Sequence, residues 1–139
     1  MTDRRGLPLV VQIGPANQRD EQRLPSVVEA FPVLRCRRGR PRTKPTTLQG
    51  DAGYGFPQTI EWVRARRIQT QLKPRNTDEH GSGLGKTRYV IERTMSWFNN
   101  FRRLRTCYER TGEHFQAFHD LAAALICANR LRRRRRVLK

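Results

Sequence analysis

Apolar residues in this chain fall into short runs separated by polar, arginine-rich stretches, and the spacing within each run predicts an element. Leu7 to Ile13, with β-branched Val10, Val11 and Ile13 and a Gly14-Pro15 stop, predicts a strand. Leu24, Val27, Val28 and Phe31 recur at helical spacing, with Asp20 placed to cap the helix and Pro32 to end it. Thr46 to Gln49 is β-permissive and runs into the glycine-flanked turn Gly50 to Gly55. Pro57 then suits the first turn of a helix whose apolar face is Ile60 and Val63. Ile68 to Leu72 alternates as a strand does, and a polar loop from Lys73 to Gly85 follows. Val90, Thr94, Trp97, Phe101, Leu104 and Tyr108 recur in steps of four and three, which predicts one long helix with that stripe in the core. A last helix, His114 to about Leu131, presents Phe115, Phe118, Leu121, Ala122 and Leu125.

Charge changes the picture most. Lys and Arg total 29 against 12 acidic residues, a formal net charge of +17 in 139 residues, so a polyanionic partner bound with salt-sensitive affinity is expected. The apolar runs fall short of the roughly 20 residues that span a bilayer, and the N-terminus lacks a secretory apolar stretch, so no membrane partner and a cytoplasmic location are expected. Cys36, Cys107 and Cys127 are widely spaced and odd in number, which suggests reduced thiols rather than a disulfide framework or zinc site. Length and the modest apolar fraction predict one domain over residues 1–131, followed by a basic tail, 132–139, that orders on phosphate.

Two carboxylates stand out among the arginines. Asp51 follows a predicted strand, where loops stay open to solvent, and Glu92 lies on the polar side of the long predicted helix with Arg88 one turn earlier. Such carboxylates suit Mg2+ or Mn2+ and metal-assisted chemistry on a phosphodiester. Read alone, each has a plainer meaning: Asp51 as a turn residue, and Glu92 as half of an i, i+4 ion pair. Arg102, Arg103 and Arg105 either contact phosphate or lay their stems over Phe98 and Phe101, and the overall charge favours phosphate. Trp62 and Trp97 read as core residues. The stretch Gly81 to Thr87 imitates a phosphate-binding loop, but His80 stands where its first glycine is required.

The ordered phrases GLPLVV, PAN, RRGRPR, GDAGY, HGSGLGKTR and VIERTMSWF with FRRLR resemble the C-terminal part of bacterial insertion-sequence transposases of the DDE type, in the insertion sequence five and four groups. The resemblance implies an α/β, ribonuclease-H-like core with C-terminal helices, in which three acidic residues hold two divalent ions. By position, Asp51 resembles the second of the three and Glu92 the last, which makes them the implied catalytic and metal-binding pair. Arg88 would orient Glu92 or a phosphate, and Lys86, Arg88, Arg102, Arg103 and Arg105 would hold DNA. The family's first strand and its aspartate lie upstream of the phrase at Met1, so this chain alone is expected to be inactive. Partners implied are transposon-end and target DNA, an upstream polypeptide supplying the missing strand, and a second copy of the chain. The competing reading is a basic DNA-binding remnant without catalysis. Gly85, Asn99 and Gly55 stand where the family usually carries tyrosine, lysine and a second acidic residue.

Overall fold

The computed structural model describes residues 1–35, 39–73 and 85–137, and within the last span the side chains of residues 85–87 and 134–137 lie outside that description. The chain divides into two compact units, Met1–Gly14 with Thr87–Lys139, and Pro15–Lys86.

The second unit carries a strand–helix–strand repeat. Helix α1, Asp20–Glu29, precedes strand β1, Thr47–Leu48; a 3-10 turn, Ala52–Tyr54, and helix α2, Pro57–Ala65, then lead to strand β2, Gln69–Thr70. The strands pair in parallel, Thr47 with Gln69 and Leu48 with Thr70, an arrangement that needs a crossover such as α2 between them. Pro57 occupies the first helical position, and Ile60 and Val63 are buried as their spacing predicts. Leu24, Val28, Phe31, Leu48, Ile68 and Leu72 complete the buried apolar set of this unit. Asp20 is the first helical residue of α1 rather than its cap; Arg19 stands at the cap position and makes no side-chain cap bond.

Helix α2 ends in a Schellman stop. The Ile68 N–H reaches the Val63 carbonyl, the Arg67 N–H reaches that of Arg64, and Arg67 adopts φ 56°, the left-handed conformation that glycine usually supplies. The Lys44 ammonium donates to the Arg66 carbonyl at 2.6 Å, serving another of the helix's terminal acceptors.

In the first unit, helix α3, Gly85–Asn99, is followed by the short α4, Arg102–Arg105, and by the long α5, Gly112–Val137. Phe98, Ala122 and Ile126 form its apolar centre, with Val11, Trp97, Phe101, Leu104 and Ala123 packed around them. The predicted single helix through Tyr108 therefore breaks after Asn99, where Asn100 and Phe101 donate back in tight turns to Trp97 and Phe98. Asn favours such ends because its side chain competes with the helical backbone. Tyr108 consequently leaves the stripe and is 63% exposed. Leu121 and Leu125 are exposed as well, and among the described side chains of α5 Ala122 and Ile126 are the buried ones. Backbone helix also continues past Leu131 to Val137, into the segment read from sequence as an unfolded tail.

Leu7 to Ile13 does not form the predicted strand. The chain folds back on itself, with a single antiparallel bridge between Thr2 and Pro8 and with the Leu9 and Val10 N–H groups donating to the Met1 carbonyl. Beyond it, the Gln116 side-chain amide takes the place of a neighbouring strand: its Oε1 accepts from Ile13 N–H and its Nε2 donates to the Val11 carbonyl, both at 2.9 Å.

Gly6 fixes this segment on α3. The Thr94 hydroxyl, on a residue only 3% exposed, lies 2.7 Å from the Gly6 carbonyl and 2.9 Å from that of Val90. Gly6 has φ +79°, and a Cβ there would stand 2.8 Å from Thr94 Oγ1. Gly39 has φ +91° with open space around it, which separates backbone strain from crowding. Gly6→Ala is expected to lower unfolding free energy by at least about 2 kcal/mol and Gly39→Ala by about 1 kcal/mol. Thermal or urea denaturation of the two variants measures the difference.

Candidate active site and nucleic-acid interface

Asp51 stands immediately beyond the C-terminal end of β1, separated from it by Gln49 and Gly50. In α/β folds with parallel strands, that edge is where ligands meet the chain. The residue caps the 3-10 turn: its Oδ1 accepts from the Gly53 N–H at 2.7 Å, and its backbone is extended at φ −69°, ψ 166°. This bond fixes the carboxylate's position while the residue remains solvent-exposed.

Gly50 makes the approach possible. A Cβ at this position would lie 2.8 Å from Leu72 Cδ2 and 3.2 Å from the Tyr54 ring, so with any larger residue the Leu72 side chain or the Tyr54 ring must give way. Tyr54, in the same GDAGY phrase, is the neighbour that sequence reasoning passed over; the signal was its spacing three residues after the aspartate, on the same single turn. Burial is the main cause holding the Tyr54 phenol above its ordinary value, with the nearby Asp20 and Asp51 carboxylates adding to it.

Glu92 belongs to the other unit, on the exposed side of α3. Its Oε1 lies 3.0 Å from Arg88 Nε, and both side chains are largely exposed, so the pair contributes only about 0.3–0.5 kcal/mol to the helix. The carboxylate is thus oriented by a cation and open to solvent. Among the described residues, no group of three or more His, Cys, Asp or Glu side chains could hold a metal ion. Asp51 and Glu92 are hard oxygen donors of the type Mg2+ and Mn2+ take, and each fits as a single ligand.

The predicted basic residues differ in their surroundings. Arg102 and Arg105 are exposed on α4, and neither forms an ion pair among the described residues. Arg103 is also exposed, its side chain 57% so, but it has partners: its guanidinium lies 4.7 Å from the Phe118 ring centroid, and its Nε is 3.6 Å from the buried Glu109 carboxylate. Lys86 lies in the first turn of α3 with its side chain outside the described residues. Cys36, Arg37, Arg38, His80 and the glycine-rich stretch 81–84 also lie outside them.

Both tryptophans are half-buried and flanked by arginine, with Arg66 3.5 Å over Trp62 and Arg130 4.1 Å over Trp97. A shallow groove that the sequence did not signal lies in the second unit, where Lys44, Arg66 and Arg67 converge with Glu29 beside Val28 and Ile68, and Glu29 lies 3.5 Å from the Arg66 guanidinium. Lys44 and Val28 are distant in sequence from Arg66 and Arg67 and meet them at the α2 stop.

Because its pKa is raised, Tyr54 keeps its proton in the folded chain at pH values where the unfolded chain has lost it. Its contribution to stability is therefore fully present below pH 10.0 and is lost as pH rises through the folded-state value. In a Tyr89→Phe, Tyr108→Phe background, ultraviolet titration is expected to show a single phenol ionising above 10.0, moved downward by Asp51→Asn. A titration that Asp51→Asn leaves unmoved would separate the phenol from the aspartate.

Comparison with known proteins gives this constellation a lineage. The family model described as Transposase DDE domain matches residues 1–127. A Burkholderia cepacia protein named "Putative transposase for insertion sequence element IS402" is 41% identical over 133 residues, covering 96% of this chain and 63% of that protein. The chain thus spans somewhat less than two thirds of the length of this relative. No solved structure matches it. In the described residues the architecture is a small parallel sheet with helices, consistent with such a domain. The chain belongs to the DDE transposase domain family of insertion-sequence transposases.

Proposed function

We propose that this chain forms part of the catalytic domain of a transposase that cleaves and joins DNA at transposon ends, on a ribonuclease-H-like core. The observation that carries the reading is Asp51, which lies in the matched region, beyond the end of a parallel strand, with one oxygen held by Gly53 and the residue open to solvent. Asp51 and Glu92 are its metal ligands. Divalent ions, Mg2+ or Mn2+, supply activation of a water or 3′-hydroxyl and neutralisation of the departing oxygen when bound.

The chain's own residues do the positioning. The Gly53 N–H fixes the Asp51 carboxylate, and Arg88 fixes that of Glu92 until phosphate competes for its guanidinium. Lys86, Arg88, Arg102, Arg103 and Arg105 hold the DNA backbone, with Arg103 also resting against Phe118 and Glu109. The net charge of +17 draws the duplex in at long range.

The test is cleavage of a labelled duplex carrying the element's terminal repeats, in Mg2+ or Mn2+, by the chain alone and by the chain joined to the part of its relative that it does not span. Cleavage is expected to need the metal and to fall by at least about 100-fold in Asp51→Asn and in Glu92→Gln, with duplex binding retained. Asn caps a turn as well as Asp does, so the first variant removes charge without removing the cap. Cleavage that survives both substitutions overturns the assignment; metal-independent binding with no cleavage at all establishes the DNA-binding remnant instead. In the same binding assay, Arg102→Ala and Arg105→Ala are each expected to reduce the dependence of log K on log salt by about one phosphate contact. An unchanged slope removes them from the interface.

A further inference from the structure

The phrase around Gly39 has no part in the site described above. From Arg35 to Lys44 the chain carries six cations and no carboxylate in ten residues. The neck of this strap is closed by Leu34 and Arg42, whose backbone N–H groups donate to each other's carbonyls at 2.8 and 2.9 Å. Both ends are anchored in the second unit: the buried Phe31 leads in, and the Lys44 ammonium holds the Arg66 carbonyl on the way to β1. Between these anchors Gly39, Arg40, Pro41 and Arg42 are all exposed, and the guanidinium groups of Arg40 and Arg42 form no ion pair or hydrogen bond among the described residues.

Two features distinguish the strap from a charged connector. Gly39 has φ +91°, and nothing stands within 4 Å of where a Cβ would be, so its bare backbone faces open space. Pro41 fixes its own φ and holds Arg40 out of the helical region, which keeps the backbone narrow beside two arginines. A thin, cationic backbone of this kind matches one surface of a duplex. The minor groove is only about 6 Å wide, too narrow for a helix, and over A·T tracts it narrows further and its negative potential draws arginine in. Arginine suits it better than lysine, because a guanidinium is more weakly hydrated than an ammonium. G·C pairs obstruct it by placing the guanine 2-amino group on the groove floor. Contact with phosphate alone calls for charge, and for neither the glycine nor the proline.

We propose that Gly39 to Arg42 is a minor-groove arm, which enters A·T-rich duplex with Arg40 and Arg42 along the groove and Gly39 nearest its floor. The proposal rests on the reading of DNA as the partner and on no step of cleavage. The strap precedes β1 whereas Asp51 follows it, so duplex reading by the arm and chemistry at the aspartate are separable.

The experiment is metal-free fluorescence anisotropy of the whole chain with labelled duplexes that share their flanks and differ in a central tract of A·T, G·C or I·C pairs. Inosine lacks the 2-amino group of guanine, so an I·C tract keeps the major-groove face of G·C and shows the minor groove of A·T. Affinity is expected to be about tenfold higher for A·T than for G·C, with I·C close to A·T. Arg40→Lys keeps the charge, and Gly39→Val adds a branched side chain to the exposed strap. Each is expected to bring the three affinities within about twofold of one another while the salt dependence of binding changes by less than about one phosphate contact. Because the assay holds no metal and reads no cleavage, its result stands whether or not the chain cleaves. Equal binding to all three tracts overturns the proposal, as does I·C binding that follows G·C, because the major groove is then the surface read. A preference that survives both Arg40→Lys and Gly39→Val comes from elsewhere in the chain and overturns the assignment to this strap.

Discussion

The close approach of Gly6 to Thr94 is the constraint on which the first unit depends. A backbone carbonyl brought against a helix must find a donor, and the Thr94 hydroxyl provides it inside a site that is otherwise sealed. The Arg93 guanidinium, which also donates to the Arg5 carbonyl at 2.7 Å, holds the adjacent residue. With the segment seated in this way, Val11 reaches the Phe98 centre and the Gln116 amide can serve the backbone on either side of Gln12. An irregular stretch thereby does structural work that a strand does elsewhere, with side chains in place of a neighbouring ladder.

That substitution also explains where sequence reading succeeded and where it failed. Around Pro57 the local preferences all agree: proline at the helix start, Ile60 and Val63 inward, and alternation from Ile68 to Leu72. Those elements were legible, as was the position of Asp51 after a short strand. Leu7 to Ile13 has strand composition, but its backbone partner is a glutamine more than one hundred residues away, which no local pattern announces. The stripe from Val90 to Tyr108 failed for a different reason. Its periodicity holds through Leu104, since Phe101 and Leu104 still pack against the Phe98 centre, but the break after Asn99 interrupts the helix and Tyr108 is released to solvent.

The candidate site was legible as chemistry and not as geometry. Asp51 and Glu92 are identifiable from their phrases, and the arginine at the i−4 position from Glu92 does pair with it. What the phrases did not disclose is that Arg103 lies against Phe118 and Glu109, or that Leu72 and Tyr54 crowd the space a methyl group at Gly50 would take. Each of these follows from contacts between elements, so each needed the fold.

The Schellman stop at Arg67 has one further consequence. Side chains alternate along a strand, and Ile68 and Leu72 are buried while Gln69 and Gln71 are exposed. The residue at which α2 stops therefore decides which of these side chains faces inward, and Leu72 in turn presses on Gly50, the residue before Asp51. Helix length acts as a ruler: one residue inserted into α2 would turn Leu72 outward and change the floor beneath the aspartate, without touching any residue of the site itself.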